Sequence, residues 1–92
     1  PPRFYEAMAL RLLRPPQEAT VHLKNGAPAW LAFSAMHGPV AVASGPWNAS
    51  GDWWNTGRWD RQEWDIEMAS GALLRIFKDC ASGRWYAEGV YD

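Results

Sequence analysis

The chain is poor in the groups that most enzymes use for chemistry. Its 92 residues contain one cysteine, Cys80, and two histidines, His22 and His37. One thiol excludes an internal disulfide; small secreted domains are more often stapled, so a cytoplasmic location is expected. One cysteine and two isolated histidines cannot close a four-ligand zinc site, and neither histidine sits in a recognisable nucleophile–base constellation. The eight glycines are spread singly through turns and strand ends, so there is no phosphate-cradling loop. Charge of one sign is also lacking. Nine Lys and Arg face ten Asp and Glu, with a formal charge of −1 and a pI near 6.1, so an autonomous nucleic-acid-binding domain is disfavoured. There is no apolar run near membrane-spanning length and no signal-like segment. Acidic residues such as Asp52, Asp60, Asp65 and Glu67 are plentiful, but Glu63, Asp65 and Glu67 alternate as a solvated strand face would. No catalytic residue, metal or cofactor is expected.

What the chain has in excess is tryptophan, seven in all, five of them between Gly45 and Trp64 in GPWNASGDWWNTGRWDRQEW. Indole rings bury large area yet carry one N–H donor that needs a partner, so they favour core edges, interfaces and stacking platforms. With so much Gly, Asn, Asp and Ser between the rings, residues 45–61 read as a long Trp-rich connection rather than a helix or an uninterrupted strand. Connections of this kind are where binding functions tend to sit. Trp53, Trp54 and Trp59, beside Arg58 and Arg61, are the binding candidates there. Adjacent side chains on an extended backbone point to opposite faces, so at most one of Trp53 and Trp54 should enter the core.

The rest reads as short strands. Residues 1–6 are linker-like, and the opening on Pro1-Pro2 without an initiator Met suggests a piece of a longer protein. Ala7 to Arg14 is an apolar run closed by Pro15-Pro16, either an edge strand or a helical turn. Thr20 to Leu23 and Ala29 to Phe33 flank Asn25-Gly26, a hairpin signal. A three-residue loop, Lys24 to Gly26, would put Val21, Leu23, Leu31 and Phe33 on one face, and burial should select it over the two-residue alternative. Pro39 to Ser44 is a further strand.

In the C-terminal third, a loop at Ala69-Ser70-Gly71 pairs Met68 with Ala72, Ile66 with Leu74 and Trp64 with Ile76. A turn at Cys80 to Gly83 then sets Asp79 opposite Arg84, Ile76 opposite Ala87 and Arg75 opposite Glu88. Trp64, Ile66, Met68, Leu74, Ile76, Trp85 and Ala87 point inward. The other face carries a solvated row, Asp65–Arg75–Glu88, together with Leu73, Phe77, Tyr86 and Val90. That apolar stripe needs cover from the Trp segment, the N-terminal run or a partner, which makes Phe77 and Tyr86 further binding candidates. The expected fold is a single all-β domain, a small antiparallel barrel or sandwich of about six or seven short strands.

The elements Gly45-Pro46-Trp47, Ser50-Gly51-Asp52-Trp53-Trp54 and Trp59-Asp60-Arg61-Gln62-Glu63-Trp64-Asp65 resemble the C-terminal domain of ImuB-like proteins, the Y-family-polymerase-related members of bacterial mutagenesis cassettes. The ending from Gly83 to Asp92 (GRWYAEGVYD) and the Arg14-Pro15-Pro16 step are similar to that family as well. Trp47-Asn48 departs from it, since many members carry a basic residue there. The resemblance implies a non-catalytic C-terminal module of a translesion-synthesis accessory protein, acting in damage-induced mutagenesis and DNA repair. The implied partners are a RecA-related ImuA-like protein and an error-prone replicative-type polymerase, with DNA reached indirectly through the parent complex and no membrane. Gln17 and Gln62 do not begin a sliding-clamp peptide, and in the family that peptide lies upstream. Two other classes fit the aromatics: a small-ligand or glycan platform, and single-stranded nucleic acid stacking on Trp53, Trp54 or Trp59 beside Arg58 and Arg61.

Overall fold

Strict alternation of Trp64, Ile66 and Met68 with Glu63, Asp65 and Glu67 makes the strand around which the structure is organised. A computed structural model describes the backbone of residues 9–34, 36–53 and 57–91, and the side chains of these residues except 51–59. Six strands follow one another: β1 (Leu10–Lys24), β2 (Ala27–Phe33), β3 (Met36–Trp53), β4 (Gly57–Met68), β5 (Leu73–Asp79) and β6 (Trp85–Tyr91). Each is antiparallel to the next, and β6 pairs with β1, so one sheet closes into a barrel. Closure leaves no unpaired edge across the ring, which suits a sheet that no helix among the described residues covers. Among the described residues no helix is long and apolar enough to cross a membrane. The strands are not uniformly short: β1, β3 and β4 run to 15, 18 and 12 residues.

The inward side chains of the C-terminal meander form the core as their alternation requires. Ile66, Leu74, Ile76 and Ala87 are fully buried and join Trp64, Met68, Leu31 and Phe33, with Trp85 packed against them. Burying each large aliphatic side chain contributes about 1.5–3 kcal/mol. Ile66 pairs with Leu74, Trp64 with Ile76 and Ile76 with Ala87. The Met68 amide donates to the Ala72 carbonyl and the Asp79 amide to that of Arg84, closing the two expected turns.

Elsewhere the expected registers are corrected by bulges. The first hairpin uses the two-residue Asn25-Gly26 loop, with φ of 52° and 81°, and pairs Lys24 with Ala27. A register shift between His22 and Leu23 then sets Val21 opposite Leu31. The bulge thus reconciles the favoured turn with burial of Val21 and Leu31, and it is Leu23, 52% exposed, that is left outside.

Pro15-Pro16 does not end the first strand. The ladder to β6 breaks after Leu12↔Gly89 and resumes at Gln17↔Ala87, so the residues without amide donors fall where no ladder bond is required. Glu88 is skipped at this point. It is skipped again on the other side of β6, where Ile76 faces Ala87 but Arg75 faces Gly89. The expected Arg75–Glu88 pairing is therefore absent. Val90 now lies opposite Leu74, and Tyr91 takes its place on the outer face beside Arg75.

The Trp-rich segment is not a loop. Residues 47–53 and 57–63 pair continuously, from Trp47↔Glu63 to Trp53↔Gly57, as an antiparallel ribbon continuing β3 and β4. A register shift at Ser44/Trp47 absorbs the Gly-Pro step, and pairing then carries the Gly, Asn and Asp residues that argue against a strand when read alone. A Cβ on Gly45, whose φ is 140°, would lie 2.7 Å from the Glu63 carbonyl oxygen and 3.2 Å from the Trp64 ring. Glycine is what lets the chain cross Trp64 here. Ser50-Gly51-Asp52 lies within the ribbon rather than at a turn, and the connection at 54–56 lies outside the described residues.

Candidate functional site

Outside the barrel, on β4, β5 and β6, register assembles a mixed aromatic and charged surface. Phe77 sits mid-row, opposite Glu63 on β4 and Tyr86 on β6, and Arg61 lies opposite Asp79 one step along. The Phe77 and Tyr86 rings stack with centroids 5.3 Å apart and 24° between planes. The Arg61 guanidinium lies over Phe77, 4.5 Å from the ring centroid. Its Nε donates to Glu63 Oε2 at 2.9 Å, and its Nη2 pairs with Glu63 Oε2 at 2.8 Å and Glu88 Oε2 at 2.6 Å. Glu88, excluded from both ladders by the bulges, is thus free to turn toward Arg61. A guanidinium held by two carboxylates is fixed in orientation and, over a ring, gains cation–π attraction as well.

Asp60, Arg61, Phe77, Asp79 and Tyr86 line an open pocket of about 290 Å³. Asp79 is positioned by its own turn: its carboxylate accepts from the Ala81 amide at 3.2 Å and from Ser82 Oγ at 2.8 Å. The neighbouring Cys80 amide donates to the Asp60 carbonyl, tying the 80–83 turn to β4 beside the pocket.

Further along the same face lies a buried polar group that its sequence pattern presents as solvated. Asp65 is 1% exposed and Glu63 6%. Asp65 Oδ1 accepts from Arg75 Nε at 3.0 Å and from the Tyr91 hydroxyl at 2.7 Å. Asp65 Oδ2 and Trp64 Nε1 have no hydrogen-bond partner among the described residues. Burial alone would lower the pKa of Arg75, but the hydrogen bond and charge of Asp65, with the charges of Tyr91 and Glu63, outweigh it and hold the guanidinium above its ordinary value. The Asp65–Arg75 half of the expected row exists, then, as a buried pair. Part of the cover of this face comes from its own long side chains: Arg61 and Tyr86 over Phe77, Arg75 and Tyr91 over Asp65.

Of the seven candidate binding residues, Arg61, Phe77 and Tyr86 come together in one pocket. Trp53, Arg58 and Trp59 are placed on the ribbon opposite Gly57, Asp52 and Gly51, but their side chains lie outside the described residues, as does Trp54 entirely. The question of which indole of the Trp53–Trp54 pair faces inward falls there too. Asp60, Asp79 and Glu88 were not candidates. The register that puts Arg61 opposite Asp79 was a signal for one of them, whereas the bulge that frees Glu88 had none. His22 and His37 are exposed, His22 lying tilted against Trp30 at 5.0 Å, and Cys80 is exposed in its turn. Among the described residues no three His, Cys, Asp or Glu are grouped to hold a metal ion. Compared with family models, with curated proteins and with solved structures, the chain matches none.

Proposed function

We propose that this chain is a non-catalytic binding module of an ImuB-like translesion-synthesis accessory protein, recruiting a protein partner in damage-induced mutagenesis. The observation that carries the binding part is the pocket of Arg61, Phe77 and Tyr86. A stacked aromatic pair capped by an anchored guanidinium combines the residue types that dominate protein-interface energetics, in a concave, partly desolvated setting. The translesion part rests on the resemblance of the SGDWW, WDRQEWD and GRWYAEGVYD elements. In this reading the chain works in the cytoplasm, its partner is the ImuA-like protein or the error-prone polymerase, and DNA is reached only through the complex.

The test is capture by the immobilised chain of purified ImuA-like protein, sliding clamp and error-prone polymerase, each offered separately. Capture of the ImuA-like protein or the polymerase supports the reading. Binding of none of the three overturns it.

A further inference from the structure

Between Lys24 and Asp52 the chain has no Asp, Glu, Lys or Arg, although 21% of its residues are charged. That stretch supplies β2 and the part of β3 that pairs with it, on the side of the ring away from β5 and its Phe77 pocket. Leu31 and Phe33 point into the core, so alternation turns Trp30 and Ala32 outward. Register extends these two into rows across three strands, His22–Trp30–Pro39 and Thr20–Ala32–His37. The four outer members of the rows are exposed, and Trp30 and Ala32 are half-buried. Leu23, 52% exposed, adjoins the first row. His22 lies tilted against Trp30 at 5.0 Å and limits how far the indole can swing. A surface depleted of charge and centred on a tryptophan has the composition of an interface core.

The charges that bound the face, and the order of its rows, identify the occupant. On β1, Glu18 stands three residues before Val21 and Lys24 three after it, both exposed. A two-fold axis lying in the face, across the strands at the level of Val21 and Leu31, runs each strand antiparallel over its counterpart. Glu18 of one copy then meets Lys24 of the other, twice by symmetry. Trp30 comes to lie over Ala32 of the second copy, so the largest side chain of the face meets its smallest. His22 falls over Thr20, and Pro39 over His37. The net charge of −1 leaves little long-range repulsion between copies. We propose that the outer face of β1, β2 and the start of β3 is a two-fold interface with a second copy of this chain. The Phe77 pockets, on the far side of each barrel, then face away from the interface and stay open.

The test is sedimentation equilibrium of the 92-residue chain from about 10 µM to about 1 mM, with reductant present because Cys80 is exposed. The mass should rise from 10.4 kDa toward twice that value, with a dissociation constant of about 10–500 µM for so small an interface. Ala32→Glu sets a carboxylate under the Trp30 ring of the second copy and should hold the monomer mass throughout. Leu23→Glu, at an exposed position beside the face, should weaken association about 10-fold or more. Glu18→Lys sets like charges together at both ends and should weaken it about 3-fold or more. Adding Lys24→Glu to Glu18→Lys reverses both signs and should restore the original constant. Circular dichroism melts of all four variants check that each one is folded.

A wild-type mass that stays at 10.4 kDa up to about 1 mM overturns the proposal. So does a dimer that persists in folded Leu23→Glu and Ala32→Glu, because the interface then lies elsewhere. If Ala32→Glu does not fold, Leu23→Glu and the charge reversal decide the matter alone. A doubly reversed chain that associates no better than Glu18→Lys rules out the antiparallel two-fold arrangement. Dimerisation is independent of the recruiting role: a chain that captures a translesion partner as a monomer loses this inference and keeps that one.

Discussion

Replacing Asp65 by leucine should be among the most damaging single changes on the outer face of the barrel. The Asp65 side chain is fully excluded from solvent, and that of Arg75 keeps 16% of its exposure. Asp65→Leu therefore removes the anion from a guanidinium that water reaches poorly, and takes away the acceptor of the 2.7 Å Tyr91 hydrogen bond. Breaking a buried pair from one side costs about 3–5 kcal/mol. A domain of this size has about 5–15 kcal/mol in total, so the variant should melt roughly 12–40 °C lower, at about 4–8 °C per kcal/mol. Tyr91→Phe, which deletes one bond to a charged acceptor, should cost about 1.5–3 kcal/mol.

The discriminating variant is Asp65→Leu combined with Arg75→Met. With both charges gone no unpaired ion remains, and apolar replacements of similar volume are often neutral, so the double variant should recover most of the single variant's loss. Urea titrations can follow all four proteins through the summed fluorescence of the seven tryptophans, of which Trp64 is 6% exposed and adjacent in sequence. A cost below about 1 kcal/mol for Asp65→Leu would refute the buried-pair account. So would a double variant as unstable as the single one.

Gly89→Ala should destabilise by about 1–3 kcal/mol in thermal melts, because a Cβ there would lie 2.7 Å from the Arg11 carbonyl oxygen where β1 closes on β6. Gly26→Ala meets no steric obstacle but must hold φ near 81°, so it should cost about 1 kcal/mol in the same assay and leave the barrel signals unchanged. Arg61→Ala should release both Glu63 and Glu88 and uncover Phe77, seen as shifts of the Phe77 and Tyr86 ring resonances with a cost of about 1–3 kcal/mol. The raised pKa of Arg75 fixes the sign of its pH dependence: the stabilisation is fully present below the ordinary arginine range and is lost only as pH rises through the still higher folded value. The stability difference between wild type and Arg75→Met should accordingly stay constant between about pH 7 and 9, as measured by urea midpoints.

The site shows how far a linear reading reaches. Phe77 and Tyr86 stand out as apolar residues on a face that otherwise alternates with charge, and they do share a pocket with Arg61. The carboxylates around Arg61 are half legible. Asp79 follows from the register opposite Arg61, but Glu88 looked like the far end of a solvated row and instead turns toward Arg61. Glu63 and Asp65 were misread for the same reason. Alternation says which residues share a face, not whether that face meets water, and here long side chains of the face fold back over it.

The amino-acid sequence by itself determined the all-β class, the β4–β5–β6 meander with its two turns, and the inward set from Trp64 to Ala87. These are local consequences of side-chain alternation and glycine-bearing turns, and each involves only neighbouring strands. The tertiary structure decided the rest: the strand that runs on through Pro15-Pro16, the paired ribbon where a Trp-rich loop was expected, and the bulges at the first hairpin and at Glu88. A bulge is a compromise between two ladders at once. β6 must match β5 on one side and, once the barrel closes, β1 on the other, and dropping Glu88 from both ladders is the compromise it adopts. Which residue is dropped depends on strands far apart in the chain, so no window of sequence contains the answer.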